Sequence, residues 1–99
     1  MPEEMSDANP GSSAPKIVMY TRGFCGYCSA ARKLLKAKGV EFDDLDTTLN
    51  AKLRREMAER SGRQTVPQIF VGDKHVGGYD DLAALEKAGQ LNELLGLDG

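Results

Sequence analysis

The spacing of apolar positions changes several times along this chain. Ile17-Val18-Met19-Tyr20 is a short continuous apolar run, and Lys16 to Tyr20 predicts a buried strand. From about Gly26 to Lys38 the spacing is helical, with Ala30, Ala31, Leu34 and Leu35 on the inner face. Gly39 suits a left-handed stop after it. Val40 to Leu45 alternates and predicts a second strand. Leu49, Leu53 and Met57 recur every four residues, a helix running to Ser61 before Gly62, with Asp46, Thr47 and Thr48 offering capping oxygens. Pro67 to Val71 reads as a third strand, and the tight Gly72-Asp73 turn leads to a fourth, Lys74 to Val76. Gly77-Gly78 ends that hairpin. Leu82, Leu85, Ala88, Leu91, Leu94 and Leu95 then predict a final helix, broken near Gly89.

Two strand–helix crossovers followed by a hairpin imply an α/β fold, a four-stranded mixed sheet with helices on both faces. No repeat or internal linker divides residues 16–99, which read as one domain. Residues 1–15 are rich in Glu, Ser, Pro, Asn and Gly, too polar to offset their own ordering entropy, and read as a flexible tail. This segment has neither the basic start nor the apolar centre of a secretory signal, so the expected compartment is the reducing cytoplasm.

Composition narrows the partners. With 28% charged residues and a formal net charge of -2, the chain offers no electrostatic case for nucleic acid or an anionic membrane. No apolar stretch approaches the roughly 18–20 residues that span a bilayer.

The chemistry lies in Cys25-Gly26-Tyr27-Cys28, which holds both cysteines. This tetrapeptide falls where the first strand passes into the first helix. Unpaired N–H groups and the helix dipole there stabilise a thiolate on Cys25, which makes it the candidate nucleophile. Cys28 follows one turn later and can close a disulfide with it, as the resolving thiol. Arg22 is the neighbouring cation. His75 is the lone histidine and, with no second histidine or further cysteine pair, argues against a zinc site. It reads as an exposed strand residue, and Tyr20 and Phe70 as core.

Three separated segments, Tyr20 to Cys28, Ser61 to Phe70 and Val76 to Leu82, together resemble the glutaredoxins, and most of all the small bacterial dithiol (class I) type. The resemblance spans roughly Lys16 to Leu95. It implies a thioredoxin-like fold, a cis Pro67 facing the cysteines, and a glutathione-dependent thiol–disulfide oxidoreductase. Such an enzyme reduces glutathione mixed disulfides and protein disulfides, with glutathione as co-substrate and glutathionylated or disulfide-containing proteins as partners, mostly as a monomer. In the implied site Arg22 and Arg54 take the glycine carboxylate and Gln64 adds a hydrogen bond. Val66 presents its backbone to the cysteinyl part, with Thr65 flanking it and Pro67 fixing the loop. Gly78, Tyr79 and Asp80 receive the γ-glutamyl end, and Tyr27 lies against the ligand. Asp80 can also cap the last helix.

Two positions depart from the usual pattern. Arg22 stands where lysine is frequent, and Gly26 where proline is usual. A small residue after the first cysteine opens an alternative, a [2Fe–2S] cluster bridging two protomers through Cys25 and two glutathiones; the monomer itself is expected to hold no metal. A thioredoxin is disfavoured by the absence of tryptophan and by Gly-Tyr between the cysteines.

Overall fold

The computed structural model describes residues 15–97. Except for Pro15, the expected tail lies outside the described residues. Four strands, β1 (Ile17–Thr21), β2 (Asp43–Asp46), β3 (Gln68–Val71) and β4 (Lys74–Gly77), form one sheet. Four helices accompany them: α1 (Gly26–Ala37), α2 (Ala51–Ser61), α3 (Tyr79–Lys87) and the short α4 (Leu91–Leu94). The spatial order is β2-β1-β3-β4; β1 is parallel to β2 and antiparallel to β3, and β3 is antiparallel to β4.

The continuous apolar run of β1 serves two cores, because successive side chains of a strand point to opposite faces. Ile17 and Met19 join Ala31, Leu35, Ile69, Val71, Leu82, Leu91 and Leu95 on the α1, α3 and α4 face. Tyr20 joins Met57 and Phe70 on the other face, with Val18, Leu45, Leu53 and Val66 against it. The expected core residues Tyr20 and Phe70 are buried and meet edge to face at 5.9 Å. No helix among the described residues is long and apolar enough to cross a membrane.

Three local readings change. The second strand is Asp43–Asp46, not residues 40–45. The alternating Val40 and Phe42 pack on the core from an irregular segment that follows α1. Gly39, at φ 74°, turns the chain there, and the Val40 N–H reaches back to the Leu35 carbonyl at 3.4 Å. The edge strand that results is acidic, and Lys16 and Arg32 pair with Asp43 and Asp44. The α2 cap is Asn50, whose side chain accepts from the Leu53 N–H at 3.0 Å, so the helix starts later and Leu49 is exposed. Asp46 and Thr47 fold the preceding loop instead: Asp46 accepts from Thr48, and Thr47 donates to the Thr21 carbonyl. His75 is half-buried, not exposed, because its ring stacks on Phe70 at 4.8 Å.

Strand directions then fix one end of the sheet. β1 and β2 end there, β3 begins there, and β4 returns to it. The β1–α1 turn, the segment before β3 and the start of α3 therefore converge, although they span Arg22 to Asp81 in sequence.

Candidate functional site

Cys25 caps α1 from an extended conformation, φ −118° and ψ 110°, and its Sγ accepts from the Cys28 N–H at 3.3 Å. A sulfur thus occupies the position that serine or aspartate takes at other helix starts, facing N–H groups with no partner within the helix. Partial burial of Cys25 works against the thiolate. The Cys28 thiol and N–H, the Tyr27 N–H and the charge of Arg22 outweigh it and hold the thiol below its ordinary value. Burial first, and then the hydrogen bond it gives Cys25, push Cys28 up to about 11. Both cysteines are free thiols, Cys25 half-buried and Cys28 buried. One turn of helix therefore separates a sulfur poised to attack from one held protonated.

The Cys25 Sγ lies 3.9 Å from the Val66 carbonyl, at the margin of a cleft of about 220 Å³. Three parts of the chain line this cleft. Tyr27 comes from α1; Arg63, Thr65, Val66 and Pro67 from the segment leading into β3, with Gln68 the first residue of that strand; and Gly78, Tyr79, Asp80 and Asp81 from the start of α3. The Val66–Pro67 bond is cis, the isomer implied by the resemblance. Tyr27 and Tyr79 stack at 6.3 Å and 25° and frame one side.

The α3 wall depends on two glycines. Gly77 sits at φ 119°, and a Cβ there would fall 2.1 Å from the Asp81 carboxylate. Asp81 folds back to accept the Gly78 N–H at 3.0 Å, which satisfies a donor at the helix start, and it pairs with Arg63 at 3.4 Å. A Cβ on Gly78 would lie 3.4 Å from the Pro67 carbonyl, so α3 begins close against the loop before β3.

The structure thus gathers Tyr27, Thr65, Val66, Pro67, Gly78, Tyr79 and Asp80 around one cleft beside Cys25. Arg22, Arg54 and Gln64 do not line it. Arg22 is exposed and acts on Cys25 through its charge. The Arg54 guanidinium donates to the Thr47 carbonyl at 2.7 Å and to the Thr48 carbonyl at 3.2 Å, tying down the β2–α2 loop. Through Thr48, whose hydroxyl accepts the Gly23 N–H at 2.8 Å, that loop also braces the β1–α1 turn. Arg63, Gln68 and Asp81 line the cleft without having been assigned a role from sequence. For Asp81 a signal was available: an acidic residue three positions after Gly78 can reach back to the N–H of a helix start.

The glutaredoxin family model matches residues 17–76. The chain belongs to the glutaredoxin family. Over 81 residues it is 49% identical to a glutaredoxin of Pseudomonas aeruginosa, a match covering 82% of this chain and 96% of that one. The solution structure of glutaredoxin from Brucella melitensis is 50% identical, with TM-score 0.77, covering 89% of this chain and 96% of its own. A crystal structure of a buckwheat glutaredoxin–glutathione complex is 27% identical with TM-score 0.76, covering 83% and 77% respectively. The thioredoxin-like architecture and the two thiols are accordingly those of a thiol–disulfide oxidoreductase.

Proposed function

We propose that the chain reduces glutathione mixed disulfides, and protein disulfides, at Cys25. The observation that carries this is the placement of a thiolate-favouring sulfur 3.9 Å from the Val66 carbonyl, where the segment before β3 and a helix start share one cleft. A tripeptide disulfide laid along Thr65–Val66 gains backbone hydrogen bonds of the kind that strand edges offer. Its γ-glutamyl carboxylate meets the N-terminal N–H groups of α3, with Asp80 near the ammonium. Arg22, Arg54 and Gln64 remain the candidates for the glycine end, and Arg63 stands in the cleft wall as a further cation.

The Cys25 thiolate attacks the glutathione sulfur of the mixed disulfide. A Cys25–glutathione disulfide forms, and the substrate thiol leaves and takes a proton. A glutathione thiolate then attacks the glutathione sulfur on Cys25, which releases oxidised glutathione and restores the Cys25 thiolate. For a protein disulfide, the Cys25 thiolate attacks one substrate sulfur, the substrate S–S bond breaks, and the other substrate sulfur leaves as a thiolate that takes a proton. Cys28 then attacks Cys25 and releases the substrate dithiol, and two glutathiones reduce the Cys25–Cys28 bond. Glutathione, glutathionylated proteins and disulfide-containing proteins are thus the partners, the protein acting as a monomer in a reducing cytoplasm.

The test uses the mixed disulfide of glutathione and 2-mercaptoethanol beside bis(2-hydroxyethyl) disulfide. The wild type is expected to prefer the glutathionyl substrate, and Cys25→Ser to lose about three orders of magnitude or more. Equal rates on both disulfides, or an active Cys25→Ser, would refute the reading. Cys28→Ser is expected to keep glutathionyl exchange and lose protein-disulfide reduction.

Gly26 favours a second reading. A Cβ at this position would meet nothing within 4 Å, so the turn beside Cys25 is uncrowded. No group of three or more His, Cys, Asp or Glu among the described residues suits a metal ion. Cys25 alone has the thiolate character and access to ligate a [2Fe–2S] cluster, two protomers and two glutathiones completing four thiolates. Anaerobic reconstitution with glutathione, followed by visible absorbance and size, decides: a colourless monomer rules the cluster out.

A further inference from the structure

Gln68 lines the cleft yet is only 1% exposed. Its Nε2 donates to the Thr65 carbonyl at 3.0 Å and to the Thr65 hydroxyl at 3.1 Å. Its Oε1 lies 2.7 Å from the His75 Nε2. The Thr65 carbonyl can only accept, so the amide must turn its NH2 towards Thr65 and its oxygen towards His75. His75 must then carry its proton on Nε2. The ring is held for that role, because His75 faces Phe70 in the β3–β4 register and stacks on it at 4.8 Å and 27°.

Thr65 and Val66 belong to neither helix nor strand, and no sheet partner fixes them. We propose that His75 is a positioning residue for glutathione binding: through Gln68 it holds the Thr65–Val66 edge in the form that receives the peptide backbone of the ligand. His75 does not line the cleft, and it acts only through Gln68. Without its N–H, Gln68 Oε1 is a buried acceptor without this partner, and the amide can rotate away from Thr65. The cost then falls on ligand binding. The donors to the Cys25 sulfur belong to α1 and its thiols, so the reactivity of Cys25 is spared.

This inference rests on the glutathione reading above, and the experiment separates the two. His75→Phe keeps a flat ring on Phe70 and removes the donor; His75→Gln restores an N–H of comparable reach. With the glutathione–mercaptoethanol disulfide, His75→Phe is expected to raise KM about 3- to 10-fold, the worth of one hydrogen bond. The kcat and the iodoacetamide alkylation rate of Cys25 should stay within about twofold, and His75→Gln should return KM towards the wild-type value. An unchanged KM in His75→Phe, or an equal loss with bis(2-hydroxyethyl) disulfide, overturns the positioning role. A wild type with no preference for the glutathionyl substrate instead removes the glutathione reading. Long-range 1H–15N spectra of the reduced wild-type chain supply a readout that needs no variant. A single Nε2–H tautomer is expected, and an Nδ1–H tautomer overturns the proposal.

Discussion

Cys25 draws most of the groups that stabilise its thiolate from within three positions: the Tyr27 N–H, and the N–H and thiol of Cys28, with Arg22 adding charge. The facing wall of the cleft is assembled differently. It takes Arg63, Thr65, Val66, Pro67 and Gln68 from the approach to β3 and its first residue, and Gly78 to Asp81 from the start of α3, with His75 bonded to Gln68 behind it. The reacting sulfur is thus tuned by one turn of chain, whereas the wall proposed to select a substrate exists only once the sheet has formed. The two functions should therefore fail independently, and four perturbations test that separation.

The largest effect is expected at Gly77. Alanine there must adopt a φ of 119° and place its Cβ against the Asp81 carboxylate. The strain and the displaced cap together should destabilise the fold by about 2 kcal/mol or more. Thermal unfolding should show this as a Tm lower by roughly 10 °C. Below that Tm, affinity for the glutathionyl substrate should fall while the alkylation profile of Cys25 against pH is unchanged. A profile displaced along with affinity would join the two regions that the structure separates.

The thiols provide the second test. Cys28 is held up to about 11 against about 9 for an ordinary thiol, so between these values the folded chain retains a proton that the unfolded chain has released. Its contribution to stability is complete below about pH 9 and is lost as pH rises towards about 11, which urea midpoints across that window will show. Cys25 has the opposite sign. Its value is depressed, so the stability it contributes is present above the ordinary thiol value and is lost as pH falls through its own. Cys28→Ala removes the S–H donor and should move the Cys25 alkylation profile to higher pH. Cys28→Ser keeps an O–H donor and should move it less. Neither should alter affinity for glutathione at the cleft wall.

This division also explains what was legible in the sequence. The Cys25 cap could be read because its cause is local: a polar side chain at a strand-to-helix boundary meets free N–H groups whatever surrounds it. Sheet, helices and both crossovers were legible for the same reason, from runs and periods. Val40 and Phe42 misled because alternation reports which residues face the core, and an irregular segment can satisfy that as well as a strand can. The place of Arg54 was not legible because a helical arginine that faces a site is indistinguishable in sequence from one that, as here, donates to the carbonyls of Thr47 and Thr48. His75 and Gln68 lie seven residues apart on two strands, and their bond depends on a hairpin register that no single-position reading supplies.

Asp81→Ala is the third and smaller perturbation. It removes the carboxylate that accepts the Gly78 N–H and pairs with Arg63. A helix start without its capping partner is destabilised by about 1 kcal/mol, and the Arg63 pair is exposed enough to add little. Urea unfolding should show a stability lower by that amount, and KM for the glutathionyl substrate should rise with kcat preserved. A fall in kcat alone would place Asp81 with the thiols instead of with the cleft wall.

The smallest effect is expected at Gly26, and it has the opposite sign. Gly26 is the first residue of α1, a position where the fixed φ of proline suits the helix and its missing N–H has no helical partner to lose. A Cβ there meets nothing within 4 Å, and Cys25 before it is extended, the conformation a following proline favours. Gly26→Pro should therefore stabilise the fold by about 0.4–1 kcal/mol, by restricting the unfolded chain. The N–H groups that face the Cys25 sulfur belong to Tyr27 and Cys28, not to Gly26, so the alkylation profile should not move. The informative readout is cluster reconstitution with glutathione. If wild type takes up a [2Fe–2S] cluster and Gly26→Pro does not, with reductase activity equal in both, glycine serves the freedom of the turn and not the chemistry of the thiol.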